Sequence, residues 1–248
     1  MTLSPPVVGI LGGMGPAATV DFYRKLVEAT PAGTDQEHLP VVIWSDPRVP
    51  DRTAALVGDG EDPTPVLRAG VTGLAAAGVR LLAVACNTAH AFVPPLAAEA
   101  GLELVSIIDV TARQLAATLP AGATVGLLAT EGTVTSRLYH DACAAVGLTV
   151  LAPEPAEQAR VTAAIAAVKA GTADASGAAA LAEVLGTLRD AGAEAAIAGC
   201  TEIVLALAAG TDTDTDAVLP VVDPADLLAH EVVRRARELR PDPADAMS

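Results

Sequence analysis

Cys86 and Cys200 are the residues of this 248-residue chain best placed to do chemistry. Each closes an apolar run, RLLAVAC (80–86) or EAAIAG (194–199) with the cysteine next, and polar residues suited to starting a helix follow at once: Asn87 and Thr88, or Thr201. Both thiols are therefore expected at the carboxyl ends of strands, beside helix N-termini, where the helix dipole favours thiolate over thiol and lowers the pKa. Two such groups on opposite sides of one pocket suit inversion of a stereocentre beside a carboxylate. One removes the α-proton, the other delivers a proton to the opposite face, and no cofactor is needed in principle. The developing carbanion must then be stabilised by donors aimed at the carboxylate in a water-poor site. An isolated cysteine is more often a small core residue, and Cys143, inside the helical pattern YHDACAAVG, is read that way.

The elements that must position these thiols are legible as short apolar runs bounded by turn residues. VVGIL (7–11), LPVVIW (39–44), RLLAVAC (80–86) and LELVSII (102–108) read as buried strands, with Ala/Leu-rich helices near 16–30, 64–77 and 89–100 between them. Alternation of strand and helix implies a parallel sheet covered on both faces. The second half repeats the plan, with strands at 124–129, 148–151, 194–199 and 218–222 and helices near 135–146, 156–170, 176–191 and 202–209. Cys86 and Asp109 are 23 positions apart, as are Cys200 and Asp223, so GILGGMGPAAT, AVACNTAH and SIID match GLLATEGTVTS, AIAGCTEI and PVVD in order. The expected fold is α/β: two pseudo-symmetric Rossmann-like lobes, each with a mainly parallel four-stranded sheet flanked by helices. Residues 1–112 plus 218–248 form the first lobe and 113–217 the second, the Arg-rich helix at 225–239 returning to pack on the first. TPAGTDQEH (30–38), TDTDTD (211–216) and PDPADAMS (241–248) read as loops or tails.

Composition narrows the partners. With 52% hydrophobic but only 2% aromatic residues, the core must be built from Ala, Val, Leu and Ile. A net charge of −15 disfavours nucleic acid or an anionic membrane as partner. No apolar stretch reaches the length of a membrane span, and MTLSPPVVGILGG lacks the basic start of a signal peptide, so a cytoplasmic location is expected. In a reducing compartment three widely spaced cysteines do not imply disulfides. Lys25 and Lys169 are the only lysines, so an acidic ligand requires locally concentrated cations.

The blocks GILGGMGP (9–16), SDPRVPDRT (45–53), CNTAH (86–90), IAAVKAG (165–171) and GCTEI (199–203), recurring in order over nearly the whole chain, resemble the aspartate/glutamate racemase family. That resemblance implies a cofactor-independent racemase of two pseudo-symmetric α/β lobes, usually a homodimer, working through Cys86 and Cys200 on a dicarboxylic amino acid. It further implies that Arg48 and Lys169, with Arg52 less firmly, hold the substrate's carboxylates, a role that suits arginine's paired N–H groups. Asn87, Thr88 and Thr201, which follow the thiols, and Thr130 and Thr133, in the loop matching GGMGP, are candidate donors to the α-carboxylate; helix capping is their competing role. Met14 lies in the glycine-rich turn and is placed with the substrate-binding set, whereas the turn itself lacks the full dinucleotide fingerprint. Glu202 and His90 adjoin the thiol segments and are candidates for tuning protonation. His90 falls four residues after Cys86, yet no close second pair of ligands suggests a metal.

Besides redox sensing through a Cys86–Cys200 disulfide, two rivals share these residues. One is another reaction on the same scaffold, such as maleate isomerisation or decarboxylation, and the other is a non-catalytic amino-acid-binding protein whose lobes close on a ligand. Retention of both cysteines together with Arg48 and Lys169 favours racemisation.

Overall fold

The computed structural model describes residues 7–58, 60–210 and 218–239. The expected loop at 211–216 and the tail at 241–248 lie outside them. The first half runs β1 (Val7–Gly12), α1 (Pro16–Ala29), β2 (Val41–Ser45), α2 (Arg52–Val57), α3 (Thr64–Ala76), β3 (Val79–Val84), α4 (Val93–Glu99), β4 (Glu103–Val105) and α5 (Ile107–Thr118). The second runs β5 (Thr124–Leu128), α6 (Glu131–Thr135), α7 (Leu138–Ala145), β6 (Thr149–Leu151), α8 (Pro155–Lys169), α9 (Ala175–Asp190), β7 (Ala195–Ala198), α10 (Thr201–Ala208), β8 (Val221–Val222) and α11 (Pro224–Glu238).

All strand pairs are parallel, and the two sheets have the same order, β2-β1-β3-β4 and β6-β5-β7-β8. In each sheet the chain moves one way from its first strand and the other way after it. The switch points therefore fall between β1 and β3 and between β5 and β7. A crevice opens at the carboxyl ends of such strands, because the following loops diverge there. The segments at these ends are Gly13–Gly15 and Cys86 in one lobe, Thr130–Thr133 and Cys200 in the other.

Two expectations are corrected. The run 102–108 is not one strand: β4 stops at Val105 because the Ser106 side chain accepts the backbone N–H of Asp109 and caps α5, a helix that sequence reading did not anticipate. The lobe boundaries shift accordingly. Residue 112 falls inside unbroken α5, and residues 221–222 pair with Ala196 and Ile197 in the second sheet instead of joining the first. Within residues 218–239 it is α11, capped by Asp223, that crosses over to pack on α1 and α5.

The core has three parts. Leu67, Leu74, Leu82 and Leu96 fill the outer face of the first sheet under α3 and α4. Val161, Leu181, Leu185 and Ile203 do the same for the second under α8, α9 and α10. Between the sheets lies the largest cluster, which joins Ile10, Phe22 and Leu81 of one lobe to Leu127, Tyr139 and Ile197 of the other through Leu115 and Leu228. Each such side chain contributes about 1.5–3 kcal/mol by leaving water, so the lobes share one interior. The sharing is reciprocal: α5 packs on α7 of the second lobe, α11 packs on α1 of the first, and the two meet each other. The Lys25 ammonium, 2.5 Å from the carboxylates of both Asp21 and Asp223, fastens α1 to the start of α11. Burial opposes its charge, but the two carboxylates prevail and hold its pKa above the ordinary lysine value.

Candidate active site

A cleft of about 580 Å³ lies between the lobes, lined by Gly13, Met14 and Arg52 from the first and by Lys169 and Glu202 from the second. Gly13 is required where it stands: its φ is +90°, and a Cβ would fall 2.4 Å from the backbone nitrogen of Asp46. The Thr19 hydroxyl accepts its N–H at 2.8 Å and so pins the turn to α1. Gly15 brings this turn against the other lobe, since a Cβ there would lie 3.2 Å from a Glu202 carboxylate oxygen.

The two thiols are nearly closed off, Cys86 6% and Cys200 7% exposed, each at the edge of its own lobe's outer core. Cys200 is the N-cap residue of α10 and donates its S–H to Glu202 Oε2 at 2.9 Å; the Thr201 hydroxyl donates to the same oxygen at 3.1 Å. Glu202 thereby connects the sulfur to the cleft it lines. The expectation of a thiol acidified by the helix dipole fails here. Burial, then the negative charge of Glu202 and the hydrogen bond to it, push the Cys200 thiol well above its ordinary pKa, and Lys169 opposes this only in part. Cys200 therefore rests as a protonated donor beside a carboxylate.

Around Cys86 the contacts run between lobes. Thr88 Oγ1 lies 3.0 Å from Thr130 Oγ1 and 2.8 Å from Thr133 Oγ1, so three hydroxyls expected to serve the α-carboxylate already form one cluster. Thr130 also caps α6 by accepting from the Thr133 backbone N–H, the competing role expected for it. Asn87 Oδ1 accepts from the Tyr139 hydroxyl of α7 at 2.6 Å. His90 is buried and kept neutral by that burial. Its Nδ1 lies 3.0 Å from the Cys86 carbonyl and its Nε2 takes the Ile107 N–H at 3.4 Å, which fixes the proton on Nδ1. Its hydrogen bond to Cys86 is thus made at the backbone carbonyl.

The cations divide differently from the expected order. Arg48 is 84% exposed, and its guanidinium grips Asp46 through Nε and Nη2 at 2.9 and 2.8 Å, away from the cleft. That fork holds the Asp46 carboxyl below the usual carboxylate range. Arg52 takes the cleft position instead, with Nη1 donating to the carbonyls of Val49 and Pro50 and Nη2 to that of Met14. Lys169 ends α8 at the opposite wall. The Asp46 clamp and Tyr139 were not singled out from sequence; a carboxylate two residues before Arg48 was the available signal for the first.

Two switch-point loops, a buried thiol on each and cations on both walls define the class of protein. The Asp/Glu/Hydantoin racemase family's profile matches residues 11–232, and the chain belongs to that family of amino-acid racemases, which are isomerases. A broad specificity amino-acid racemase, RacX of Bacillus subtilis, is 28% identical over 170 residues, covering 66% of this chain and 71% of that one. The structure of Picrophilus torridus aspartate racemase superposes with a TM-score of 0.78 at 29% identity and 94% coverage of both chains. A glutamate racemase from Francisella tularensis, in complex with D-glutamate, shares the fold at a TM-score of 0.70 and 17% identity, over 95% of this chain and 82% of that one.

Proposed function

We propose that the protein racemises an acidic amino acid, aspartate or glutamate, without pyridoxal phosphate, by proton transfer between Cys86 and Cys200. The observation that carries this reading is Glu202, whose buried side chain accepts a hydrogen bond from the Cys200 thiol while forming part of a cleft walled by Arg52 and Lys169. In one direction the Cys86 thiolate removes the α-proton and the Cys200 thiol protonates the opposite face. In the other the thiol states are exchanged: the Cys200 thiolate, which the first direction leaves behind, removes the α-proton, and the Cys86 thiol protonates the opposite face. Asn87, Thr88 and the Thr130–Thr133 pair supply donors for the charge that develops on the α-carboxylate. The two cleft cations suit a substrate with a second carboxylate, which otherwise meets the repulsion of a −15 molecule.

Among the described residues no helix is long and apolar enough to cross a membrane. A homodimer acting on a free amino acid accords with the family.

The test is incubation with single enantiomers of aspartate and glutamate in D₂O, free of pyridoxal phosphate. The expected result is α-deuteration together with the opposite enantiomer. Tight binding with neither product would support an amino-acid-binding protein instead, and conversion of maleate to fumarate would support the isomerase.

A further inference from the structure

Tyr139 touches both thiol-bearing segments. Its hydroxyl donates across the lobes to Asn87, the residue after Cys86, at 2.6 Å. Its ring packs at Gly199, the residue before Cys200, so closely that a Cβ on that glycine would lie 3.3 Å from Tyr139 Cε2. Phenol and amide are both buried, Asn87 only 2% exposed.

A phenol in this setting has a single proton to give, and burial raises its pKa far beyond the ordinary value, so it stays a neutral donor at any working pH. Thr111 also hydrogen-bonds the phenol, and the structure places the amide oxygen of Asn87 as the acceptor of the phenol proton. The other end, Nδ2, is buried and without a hydrogen-bond partner. Unmet donors are rare in native interiors. One standing beside a thiol is poised for an acceptor that arrives with a ligand.

Building on the racemase reading, we infer that Tyr139 is a positioning residue: from the second lobe it orients the first-lobe amide of Asn87, so that Nδ2 and not Oδ1 meets the substrate's α-carboxylate. The bond forms only while the lobes are docked in this register. Orientation of the donor beside Cys86 is thus coupled to the element that packs against Cys200.

The experiment is a double-mutant cycle on racemisation of aspartate and glutamate, with thermal melting followed in parallel. Tyr139→Phe keeps the ring but releases the amide, and kcat/KM is expected to fall at least about tenfold, short of the loss of a whole oxyanion donor. In an Asn87→Ala background the same change is expected to cost less than about twofold, because the group it orients is gone. A tyrosine that merely supports the fold would cost the same factor in both backgrounds, and that outcome overturns the inference, as does wild-type kcat/KM in Tyr139→Phe. Asn87→Asp supplies a comparison that does not depend on the stability of the Phe variant. It retains an acceptor for the phenol but presents an anion to the carboxylate, so it should be less active than Asn87→Ala, and equal or higher activity overturns the proposal. Should the wild-type protein racemise neither substrate, the racemase reading itself fails and the inference goes with it.

Discussion

Glu202 sets two demands on Cys200 that pull against each other. Its carboxylate receives the thiol proton, which a base needs, yet its charge and the surrounding burial hold that proton on the sulfur. The rate in the direction that uses Cys200 as base should therefore rise with pH through and beyond the ordinary thiol range. In Glu202→Gln the anion is removed and the thiol pKa falls, so this limb should move to lower pH. Initial-rate profiles for each enantiomer check it, and an unmoved or upward-shifted limb would contradict the role given to Glu202. The arginines make a second prediction. Arg48→Ala, whose side chain is engaged with Asp46 outside the cleft, should change KM for an acidic substrate by less than about threefold, while Lys169→Ala should raise it about tenfold, the size expected for one charge-assisted contact of roughly 1.5 kcal/mol. Comparable KM values in the two variants would argue against the division of cations described above. At this scale the sequence identified both thiols and their polar neighbours, because those residues sit in contiguous motifs. It misjudged the acidity of Cys200, since a dipole is a local matter whereas the burial of Cys200 and the approach of its Glu202 neighbour are settled by folding. It also overlooked Tyr139, whose partner lies 52 positions away.

At the level of elements, the matched SIID and PVVD segments lie at corresponding strand-to-helix junctions but meet them differently: SIID begins after β4 has ended and its isoleucines are already in α5, whereas both valines of PVVD form β8. Ser106 caps α5 with its side chain and Asp223 caps α11. The equal spacing was legible, but 102–108 read as a single strand because Val, Ile and Leu are apolar in either conformation and one serine is a small signal against them. Ser106→Ala should lower stability by about 1 kcal/mol, the usual worth of a helix N-cap, with kcat and KM nearly unchanged. Urea denaturation alongside steady-state kinetics measures both. A change in KM comparable to that of Lys169→Ala would mean that α5 takes part in the site more directly than its contacts indicate.

For the whole molecule, two similar parallel sheets were readable from the repeat, and so was the position of each thiol at a strand's end. The exchange of last helices was not readable, since nothing in the pattern of α5 or α11 states which lobe will receive its apolar face. Lys25 is the ionic part of that exchange. Lys25→Met would strand Asp21 and Asp223 without their shared cation, and a loss of about 3 kcal/mol is expected for breaking a largely buried pair from one side. A drop in melting temperature with little change in KM checks it. A stability equal to wild type would mean that the carboxylates find water once the lysine is gone.

Because each lobe borrows its closing helix from beyond the other's sheet, severing the chain in the 119–123 connection would leave neither fragment with a complete interior. The amino-terminal piece would bare the flank of α1 that α11 covers, and the carboxy-terminal piece the flank of α7 that α5 covers. Produced together, the pieces hold all the complementary surfaces and can reassemble. Produced singly, each has an apolar flank that only a borrowed helix can close.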